Sequence, residues 1–325
     1  LENFPVLVRI PAGRVADNSQ LAFFDENGTF LPYEIDTWNA NGESLVWVLV
    51  PSFYQNVKIT LASGNEGWTA PNLAHTLWRM AGYVAVLHLG EDGPEFAGST
   101  VQNIDGLGQL ANGTDAGVAN KVAGAVGPAR LISDTAGWDK ARIKVDNFEG
   151  YLDNLANMTV SLWTKHSAEL QVGDSERIFG NRSNLEDQAS GFNVSTYTGV
   201  TDKIPVLQAR GNPTLNSSAG LDKFIVVKPS TGTNVSWSDT WTHLSFSFNY
   251  TPNPTIFHIG GERAAISPNG SGNAIQTTAF ASILANDTPI SFGNSYDEGQ
   301  TGLGFKGAID EIRIRNGSVS DDWSF

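Results

Sequence analysis

The chain has 325 residues, with 20 lysines and arginines against 34 aspartates and glutamates, which gives a formal net charge of −14. This charge argues against a nucleic-acid-binding protein, and a content of 40% hydrophobic residues argues against a disordered chain. The lack of cysteine excludes disulfides and thiolate metal sites, and no apolar run reaches the length of a transmembrane helix.

Short strands separated by turn residues dominate the start of the chain. They are predicted at residues 4–10, 21–24, 30–35, 44–50 and 57–62. The sequence Asp-Glu-Asn-Gly at residues 25–28 ends in a pair that tolerates the positive φ of a tight turn, which predicts a hairpin between the second and third strands. Apolar residues occupy both faces of residues 44–50, which predicts a strand buried on both sides. We therefore predict a small β module over residues 1–67.

The next segment, residues 68–80, is interpreted as a connector with about one helical turn. It contains two tryptophans, Trp68 and Trp78. Because so short and apolar a connector favours contact between the units on its two sides, we expect the modules to pack against each other rather than to move freely.

A second series of strands follows the connector. Strands are predicted at residues 83–89, 129–132, 141–145, 158–165, 177–180, 191–197, 204–209, 224–227, 241–250, 255–260, 290–293 and 304–315. Residues 91–128 are rich in Gly, Asn and Asp and are predicted to form long loops. Helical periodicity is nearly absent, so the predicted fold class is all-β, with an antiparallel β-sandwich over residues 81–325.

Three motifs in the sandwich region carry a family resemblance. They are TVSLWTK at residues 159–165, DTWTHLSFS at residues 239–247 and FKGAIDEIRI at residues 305–314. In this order they resemble the concanavalin A-like jelly roll of the laminin-G-like superfamily, whose last core strand is similar to residues 309–314. The resemblance implies a sandwich of two antiparallel sheets.

The N-terminal module carries a second resemblance. The segments FPVLV at residues 4–8, FFDENG at residues 23–28, LPYEID at residues 31–36 and WVLVP at residues 47–51 resemble a bacterial domain of unknown function that often precedes such jelly rolls. The proteins that contain it are typically large, exported and attached to the cell surface. The resemblance therefore implies an extracellular or cell-surface location in a bacterium, with the export signal outside this chain, and a fragment of a larger multidomain protein.

The acidic residues give no support for a catalytic pair. No segment has the Glu-x-Asp-x-x-Glu pattern of the jelly-roll glucanases. Asp310 and Glu311 are adjacent on a predicted strand, so their side chains are expected to point to opposite faces and not into one cleft. The five histidines lack the spacing of a zinc site, and no Gly-x-Ser-x-Gly elbow occurs. We predict that the protein is not an enzyme.

Calcium is the metal that suits this acidic, cysteine-free chain, because calcium prefers carboxylate and carbonyl oxygens. Laminin-G-like jelly rolls commonly hold one calcium ion, and the resemblance implies a site formed by Glu91, Asp92 and Asp310. The alternative is that Glu91 and Asp92 form a solvated turn and that Asp310 accepts structural hydrogen bonds.

The aromatic residues divide into predicted core and predicted surface. Trp47, Trp163 and Trp241 fall within strand patterns and are predicted to be buried. Candidate glycan-binding residues occur in loop-like contexts, and they are Trp138, Trp237, Tyr197 and Tyr296, with Asn294 beside the last. Each could instead be a half-exposed packing residue.

These features favour a non-catalytic recognition segment of a bacterial surface or secreted protein. Its partner would be a glycan or a host surface or matrix protein, bound with the help of calcium. Two alternatives remain: a structural spacer in a large adhesin, and a jelly-roll carbohydrate-active enzyme.

Overall fold

A computed structural model describes part of the chain. The described residues are 1–64, 67–69, 71, 73–90, 95–97, 100–101, 112–116, 121–132, 142–145, 157–166, 175–181, 192–198, 203–210, 224–227, 239–249, 256–263, 290–294, 304–317 and 319. Strand is the dominant structure in these residues.

The elements follow one another in chain order. The N-terminal elements are β1 (Glu2–Ile10), a 3-10 turn (Asn18–Gln20), β2 (Ala22–Phe24), β3 (Tyr33–Thr37), β4 (Ser44–Ser52), β5 (Thr60–Ala62) and α1 (Ala74–Met80). The next are β6 (Tyr83–Leu87), β7 (Glu95–Ala97), β8 (Thr100–Val101), β9 (Asn112–Ala116), β10 (Lys121–Ala123), β11 (Pro128–Ile132), β12 (Arg142–Val145), β13 (Asn157–His166) and β14 (Ser175–Gly180). The last are β15 (Phe192–Thr198), β16 (Lys203–Arg210), β17 (Phe224–Val227), β18 (Thr242–Asn249), β19 (Ile256–Ile259), β20 (Glu262–Arg263), β21 (Ile290–Phe292) and β22 (Gly307–Asn316).

The N-terminal module is built around β4, which pairs antiparallel with β1 on one side and β3 on the other. One face of β4 directs Val46 and Val48 into the module's own core. The other face directs Leu45, Trp47 and Leu49 toward α1 and β6. β4 is therefore buried on both sides, as the sequence predicts.

The predicted hairpin is confirmed, although its paired segment is short. Asp25 accepts a hydrogen bond from the amide of Gly28, whose φ is 79°, and a single bridge joins Phe24 to Phe30. Beyond that bridge β2 pairs with β5, and β3 pairs with β4. Backbone hydrogen bonds from the Asp25 amide to the Thr29 carbonyl and from the Leu31 amide to the Phe23 carbonyl flank the bridge, so the predicted hairpin is present over residues 23–31.

The sandwich consists of two antiparallel sheets. The β13 sheet has the order β10-β11-β22-β13-β18-β19-β20, with β6 paired to β22 and β8 paired to β6. The β15 sheet has the order β17-β16-β15-β14-β21-β12-β9-β7. Aromatic rings pack between the two sheets. The ring centroids of Phe179 in the β15 sheet and Phe246 in the β13 sheet are 6.4 Å apart. The predicted all-β fold class is confirmed.

Residues 91–128 depart from the prediction of long loops. β7, β8, β9 and β10 all lie in this stretch. These strands contain two to five residues, and β9 has the sequence Asn-Gly-Thr-Asp-Ala, so neither their length nor their composition gives a strand signal. Backbone pairing with neighbouring strands produces them instead.

The two modules share a hydrophobic cluster, as expected from the connector. Leu49 and Trp47 from β4 pack with Leu77 and Trp78 from α1 and with Val86 from β6. The connector thus contributes a helix to the junction. No helix among the described residues combines the length and apolar character needed to cross a membrane.

Candidate ligand-binding cleft

A cleft of about 420 Å³ lies between β1 of the N-terminal module and the outer face of the β13 sheet. Its floor is formed by alternate residues of three neighbouring strands. They are Thr159, Ser161 and Trp163 of β13, His243 and Ser245 of β18, and Arg313 and Arg315 of β22. Phe4, Val6 and Arg9 of β1 form the opposite wall.

The alternation of the strands explains the polar floor. Along β13, Met158, Val160 and Leu162 are fully buried between the two sheets of the sandwich. Their neighbours Ser161 and Trp163 therefore point to the opposite face, toward the N-terminal module. Ser161 and Trp163 are only half-buried.

Two pairs of aromatic rings line the cleft. Phe4 and Phe53 have ring centroids 5.1 Å apart, and Trp163 lies 5.2 Å from the His243 ring. The prediction that Trp47 is buried is confirmed, since it is 7% exposed. Trp163 and the neighbouring Trp241 are half-buried instead.

A network of charged side chains adjoins the cleft and joins the two modules. We call it the buried charge network, and it consists of Glu34, Asp36, His88, Asp310, Glu311 and Arg313. The Nδ1 atom of His88 lies 2.5 Å from Glu311 Oε1 and 3.1 Å from Asp36 Oδ2. Its Nε2 atom lies 3.1 Å from Glu34 Oε2.

Neutral donors and a guanidinium complete this network. The indole of Trp78 donates to Glu34, and that of Trp47 donates to Asp36 Oδ2 at 3.2 Å. Arg313 Nη2 donates to Glu311 Oε2 at 2.5 Å. The Arg313 guanidinium carbon also lies 4.0 Å from the ring centroid of Trp47, in a cation–π contact.

The charges of His88 and Glu311 support each other. Burial alone would lower the pKa of His88, but the carboxylates of Glu311 and Glu34 raise that pKa well above its usual value. Burial alone would raise the pKa of Glu311, but the His88 and Arg313 cations lower it to about 2. The pair is therefore an imidazolium and a carboxylate at neutral pH.

The carboxyl groups of Asp310 and Asp36 have raised pKa values, in contrast to that of Glu311. Burial and the neighbouring Glu311 carboxylate raise the pKa of Asp310 to about 8, although the Val126 and Ala125 amides lower it in part. Burial is also the main cause that raises the pKa of Asp36 to about 6. Both carboxyl groups therefore keep a proton to a higher pH than an exposed aspartate does.

The expectation that Asp310 and Glu311 point to opposite faces is wrong. Where β13 pairs with β22, Trp163 of β13 lies opposite Asp310 and Ser161 of β13 lies opposite Arg313. Between these two pairs β13 has one residue and β22 has two. This β-bulge lies at Glu311, whose φ is 50°. The extra residue interrupts the alternation and leaves the Glu311 carboxylate close enough to raise the pKa of Asp310.

Asp36, His88 and Glu311 could hold a metal ion, because one ligand atom from each lies within 4.8 Å of the others. However, His88 Nδ1 makes direct contacts of 2.5 and 3.1 Å with the two carboxylates. The protonated ring thus already supplies a cation at the point where a metal would sit. The geometry favours an ion-pair network.

The residues predicted for the calcium site are only partly described. Glu91 and Asp92 lie outside the described residues. Asp310 is fully buried, and its Oδ2 accepts a hydrogen bond of 2.9 Å from the Val126 amide. Within the described part of the chain, no hydrogen-bond partner reaches its Oδ1 atom. One buried oxygen is therefore available to a cation or to a proton.

The predicted glycan-binding residues are also mostly outside the described ranges. Trp138, Trp237 and Tyr296 fall there, and only the backbone of Tyr197 is described, in β15. Asn294 is buried, with 2% exposure, and its carbonyl accepts a hydrogen bond from Ser291. Their role in binding stays a prediction.

Sequence reasoning missed the residues that line the cleft. Trp163 is predicted to be buried in the core, and His243 is one of the five histidines for which the sequence predicts no zinc site. The alternation of the segments TVSLWTK and THLSFS places Ser161, Trp163, His243 and Ser245 on one face, and this was the available signal. What no local pattern could show is that β1 lies over that face.

Comparison with known proteins supports one of the two resemblances. Residues 17–80 match DUF2341, a domain of unknown function. The match confirms that the N-terminal module resembles such a domain, and it extends past residue 67 to include α1. No curated protein matches the chain.

Several solved structures resemble the fold at low sequence identity. The binding domain of botulinum neurotoxin serotype D/C VPI 5993 has 13% identity and a TM-score of 0.47, over 74% of this chain and 50% of that chain. The CBM40 of the Ruminococcus gnavus IT-sialidase has 11% identity and a TM-score of 0.41, over 65% of this chain and 95% of that one.

The sialidase of Trypanosoma rangeli has 11% identity and a TM-score of 0.45, over 93% of this chain and 43% of that chain. The present chain therefore spans about half of the toxin domain and less than half of this sialidase. The finer assignment of the sandwich to the laminin-G-like superfamily stays a prediction.

Proposed function

We propose that the chain is a non-catalytic recognition segment of a larger bacterial surface or secreted protein and that it binds a glycan in the cleft. The observation that carries this proposal is the combination of aromatic, hydroxyl and basic side chains in one cleft of about 420 Å³. Small-ligand pockets usually have volumes of about 300–1,000 Å³ and combine an apolar lining with a few polar groups.

Trp163 is the side chain best placed to stack on a sugar ring. It is half-buried on the floor of the cleft, with Ser161 beside it on the same strand face. An indole ring offers an apolar plane for sugar C–H groups, while the hydroxyl of Ser161 and the basic side chains can bond to sugar hydroxyls.

The positions of the acidic residues support a non-catalytic role. Asp310 is fully buried and is not part of the described lining of the cleft. Glu311 borders the cleft, but one of its oxygens is bonded to His88 and the other to Arg313. A general acid and a nucleophile both need direct access to the scissile bond. Release of reducing or unsaturated sugar ends from polysaccharides would contradict this part of the proposal.

Calcium remains part of the proposal, with Asp310 as one ligand beside Glu91 and Asp92. The partnerless Oδ1 of Asp310 supports a nearby cation, and protonation of the same atom is the competing explanation. If calcium binds, a chelator lowers the melting temperature and added calcium restores it. An unchanged melting curve would overturn the calcium site.

The proposal is tested with a glycan array, run once with calcium and once with a chelator. Binding to one glycan class is expected, and Trp163→Ala should weaken that binding about tenfold or more, because stacking on an aromatic ring is lost. Trp241→Ala is the matched control, since Trp241 is also half-buried but is not among the described cleft residues.

Two outcomes would redirect the proposal. Equal loss of binding in both tryptophan variants would place the ligand elsewhere. No binding to any glycan, followed by binding to a host surface or matrix protein, would favour protein–protein adhesion. If neither class binds, the remaining function is that of a rigid spacer, which the shared core of the two modules would also serve.

A further inference from the structure

The first strand of the N-terminal module has one edge without a neighbour among the described strands. The sheet has the order β1-β4-β3, so β1 pairs only with β4 and lies at the edge of the sheet. An edge strand presents backbone N–H and C=O groups to which no neighbouring strand bonds. The cleft lies beside this strand, and the residues of β1 that line it are Phe4, Pro5, Val6, Leu7 and Arg9.

The register of β1 against β4 shows which backbone groups point away from β4. Leu49 of β4 pairs with Pro5, but its amide donates to the Pro32 carbonyl on the side of β3. Because bonded and non-bonded pairs alternate in an antiparallel ladder, the N–H and C=O groups of Leu7 and Arg9 also point away from β4. Pro5 lacks an N–H group and has the same orientation, which suits a proline at a sheet edge. The edge therefore offers two donors and three acceptors, and no hydrogen bond from the described part of the chain reaches them.

Residues from both faces of β1 line the cleft. Phe4 and Val6 belong to one face, and Pro5 and Leu7 belong to the other, because alternate side chains of a strand point in opposite directions. A cavity on one face of the strand would contact only one of these sets. The cleft therefore meets β1 along its edge, where the backbone groups are available.

We propose that the edge of β1 binds an extended peptide segment of a partner protein, which adds to the three-stranded sheet as a further strand. In strand addition, main-chain hydrogen bonds give affinity and pockets for alternate side chains give specificity. From Pro5 to Arg9 the strand spans about 13 Å, at about 3.3 Å per residue, so about five residues of the partner would pair with it. This inference does not rest on the proposed glycan, because it uses the backbone of β1 and not the Trp163 ring.

The walls of the cleft indicate which side chains the peptide would carry. On one face of β1, the rings of Phe4 and Phe53 have centroids 5.1 Å apart, and both residues line the cleft. On the other face, Leu7 packs against the hydrophobic cluster that the two modules share, and Trp163 lies on the floor. Apolar surface is therefore available to alternate side chains on both faces of the added strand. A peptide with β-branched and aromatic residues fits this environment best.

Charge contributes little to this mode of binding. Arg9 is paired with Glu43 at 2.6 Å, and Arg313 is paired with Glu311 at 2.5 Å. Since these cations already have carboxylate partners, the backbone bonds and apolar contacts must supply the affinity. The dissociation constant should therefore change less than about twofold between about 50 mM and about 500 mM salt.

Selection from a library of linear heptapeptides displayed on phage tests the proposal on the full chain. We expect the selected sequences to be rich in β-branched and aromatic residues and to bind as capped synthetic peptides. Methylation of every backbone nitrogen of a selected peptide should abolish binding, because it removes the donors and keeps the side chains. A library that yields no binder, or a methylated peptide that binds as well as the parent, would overturn the proposal.

Amide hydrogen exchange locates the bound peptide. In the free chain, the amides of Leu7 and Arg9 should exchange rapidly, and those of Val6 and Val8, which face β4, should exchange slowly. A saturating peptide should slow exchange at Leu7 and Arg9 by about tenfold or more. Slow exchange at these two amides in the free chain would show that the edge is already covered. That result, or exchange that the peptide leaves unchanged, would overturn the proposal.

Two variants at position 9 separate the backbone amide from the side chain. Arg9→Pro removes the N–H group that faces the partner, whereas Arg9→Gln keeps it, and both remove the guanidinium. Proline is tolerated where the N–H of an edge strand points away from the sheet. We expect Arg9→Pro to bind a selected peptide about tenfold more weakly than Arg9→Gln does. Equal affinities would overturn the proposal, and if Arg9→Pro does not fold, the methylated peptide and hydrogen exchange decide.

The outcomes separate this inference from the proposed function. Binding on the glycan array without any selected peptide would overturn the added strand and leave the glycan site. A peptide that binds in the absence of any glycan binding would support the added strand and overturn the glycan. If both ligands bind, they should compete, because they occupy the same cleft.

Discussion

At the residue scale, His88 links the two modules through ionic contacts. Its ring contacts carboxylates from the N-terminal module and from β22 of the sandwich, and its side chain is only 8% exposed. Removing one partner of a buried ionic network leaves the remaining charges without compensation, which costs far more than the loss of a surface ion pair.

We therefore predict that His88→Gln lowers the free energy of unfolding by about 3–5 kcal/mol, because the carboxylates of Glu34 and Glu311 lose their shared cation. Lys165→Gln is the control, since it breaks an ion pair in which Asp239 is 85% exposed, and it should cost less than about 1 kcal/mol. Urea denaturation at pH 7 measures both. Similar losses in the two variants would mean that the network contributes no more than a surface pair.

For Asp310 we predict the reverse effect, that replacing the residue stabilises the protein. Its pKa rises from 3.8 in the unfolded chain to about 8 in the folded protein, so between these values the unfolded chain loses a proton that the folded protein keeps. This residue therefore lowers the stability progressively as the pH rises from about 4 to about 8. Asp310→Asn should raise the free energy of unfolding, by an amount that increases across this range.

Denaturation of the wild type and of Asp310→Asn at pH 5 and pH 8, in the presence of a chelator, measures this effect. The amide oxygen of asparagine can still accept the hydrogen bond from Val126. A variant that is less stable than the wild type at pH 8 would show that Asp310 is ionised in the folded protein. Asp239→Asn, at an exposed position, controls for the general loss of one negative charge.

At the scale of the elements, the turn between β10 and β11 has little space for side chains. A Cβ atom on Gly124 would lie 2.3 Å from Asp310 Oδ2 and 2.8 Å from the carbonyl oxygen of Gly127. The latter is a backbone atom, so the turn itself would have to move. This turn also supplies the Val126 amide to Asp310.

Gly124→Ala should therefore destabilise the protein by about 1–3 kcal/mol, the usual cost of an added group in a tightly packed site. Gly90→Ala is the matched control, because its new Cβ atom would make only ordinary contacts with Pro128, at 3.6 and 3.8 Å. Differential scanning calorimetry of the two variants compares them. Equal melting temperatures would show that the turn can relax.

The elements also show where sequence patterns succeed and fail. β4 and β13 were predicted at nearly their observed bounds because their apolar residues are dense and repeat with the period of a strand. β8 and β9 were missed because their side chains form no strand-like pattern. They are strands because their backbones pair with β6 and β12. The bulge at Glu311 was missed because it depends on the register of β22 against β13, which is a non-local property.

At the scale of the whole molecule, the modules are held together by apolar and ionic contacts at one junction. Trp47 of β4 packs against Trp78 of α1 with ring centroids 5.8 Å apart, next to the buried charge network. Units that share a core unfold together, because opening the junction exposes the apolar surfaces of both. We predict one cooperative thermal transition for the full chain.

Trp47→Ala should weaken this coupling, because it removes the indole that contacts Trp78, Arg313 and Asp36. The expected result is a melting profile that splits into two transitions and a larger radius of gyration in solution scattering. Trp241→Ala should keep the single transition. Two transitions in the wild type would show that the modules are energetically independent.

The sequence by itself determined the all-β class, the double burial of β4 and the positions of most strands, because these properties depend on local periodicity and turn chemistry. Only the tertiary structure decided that Trp163 and His243 face a cleft and that His88 is surrounded by carboxylates from two modules. Residues 34 and 36 are far from residue 88 in the chain, and residue 311 is far from all three, so their meeting depends on sheet order and on module docking. Local sequence carries no record of either.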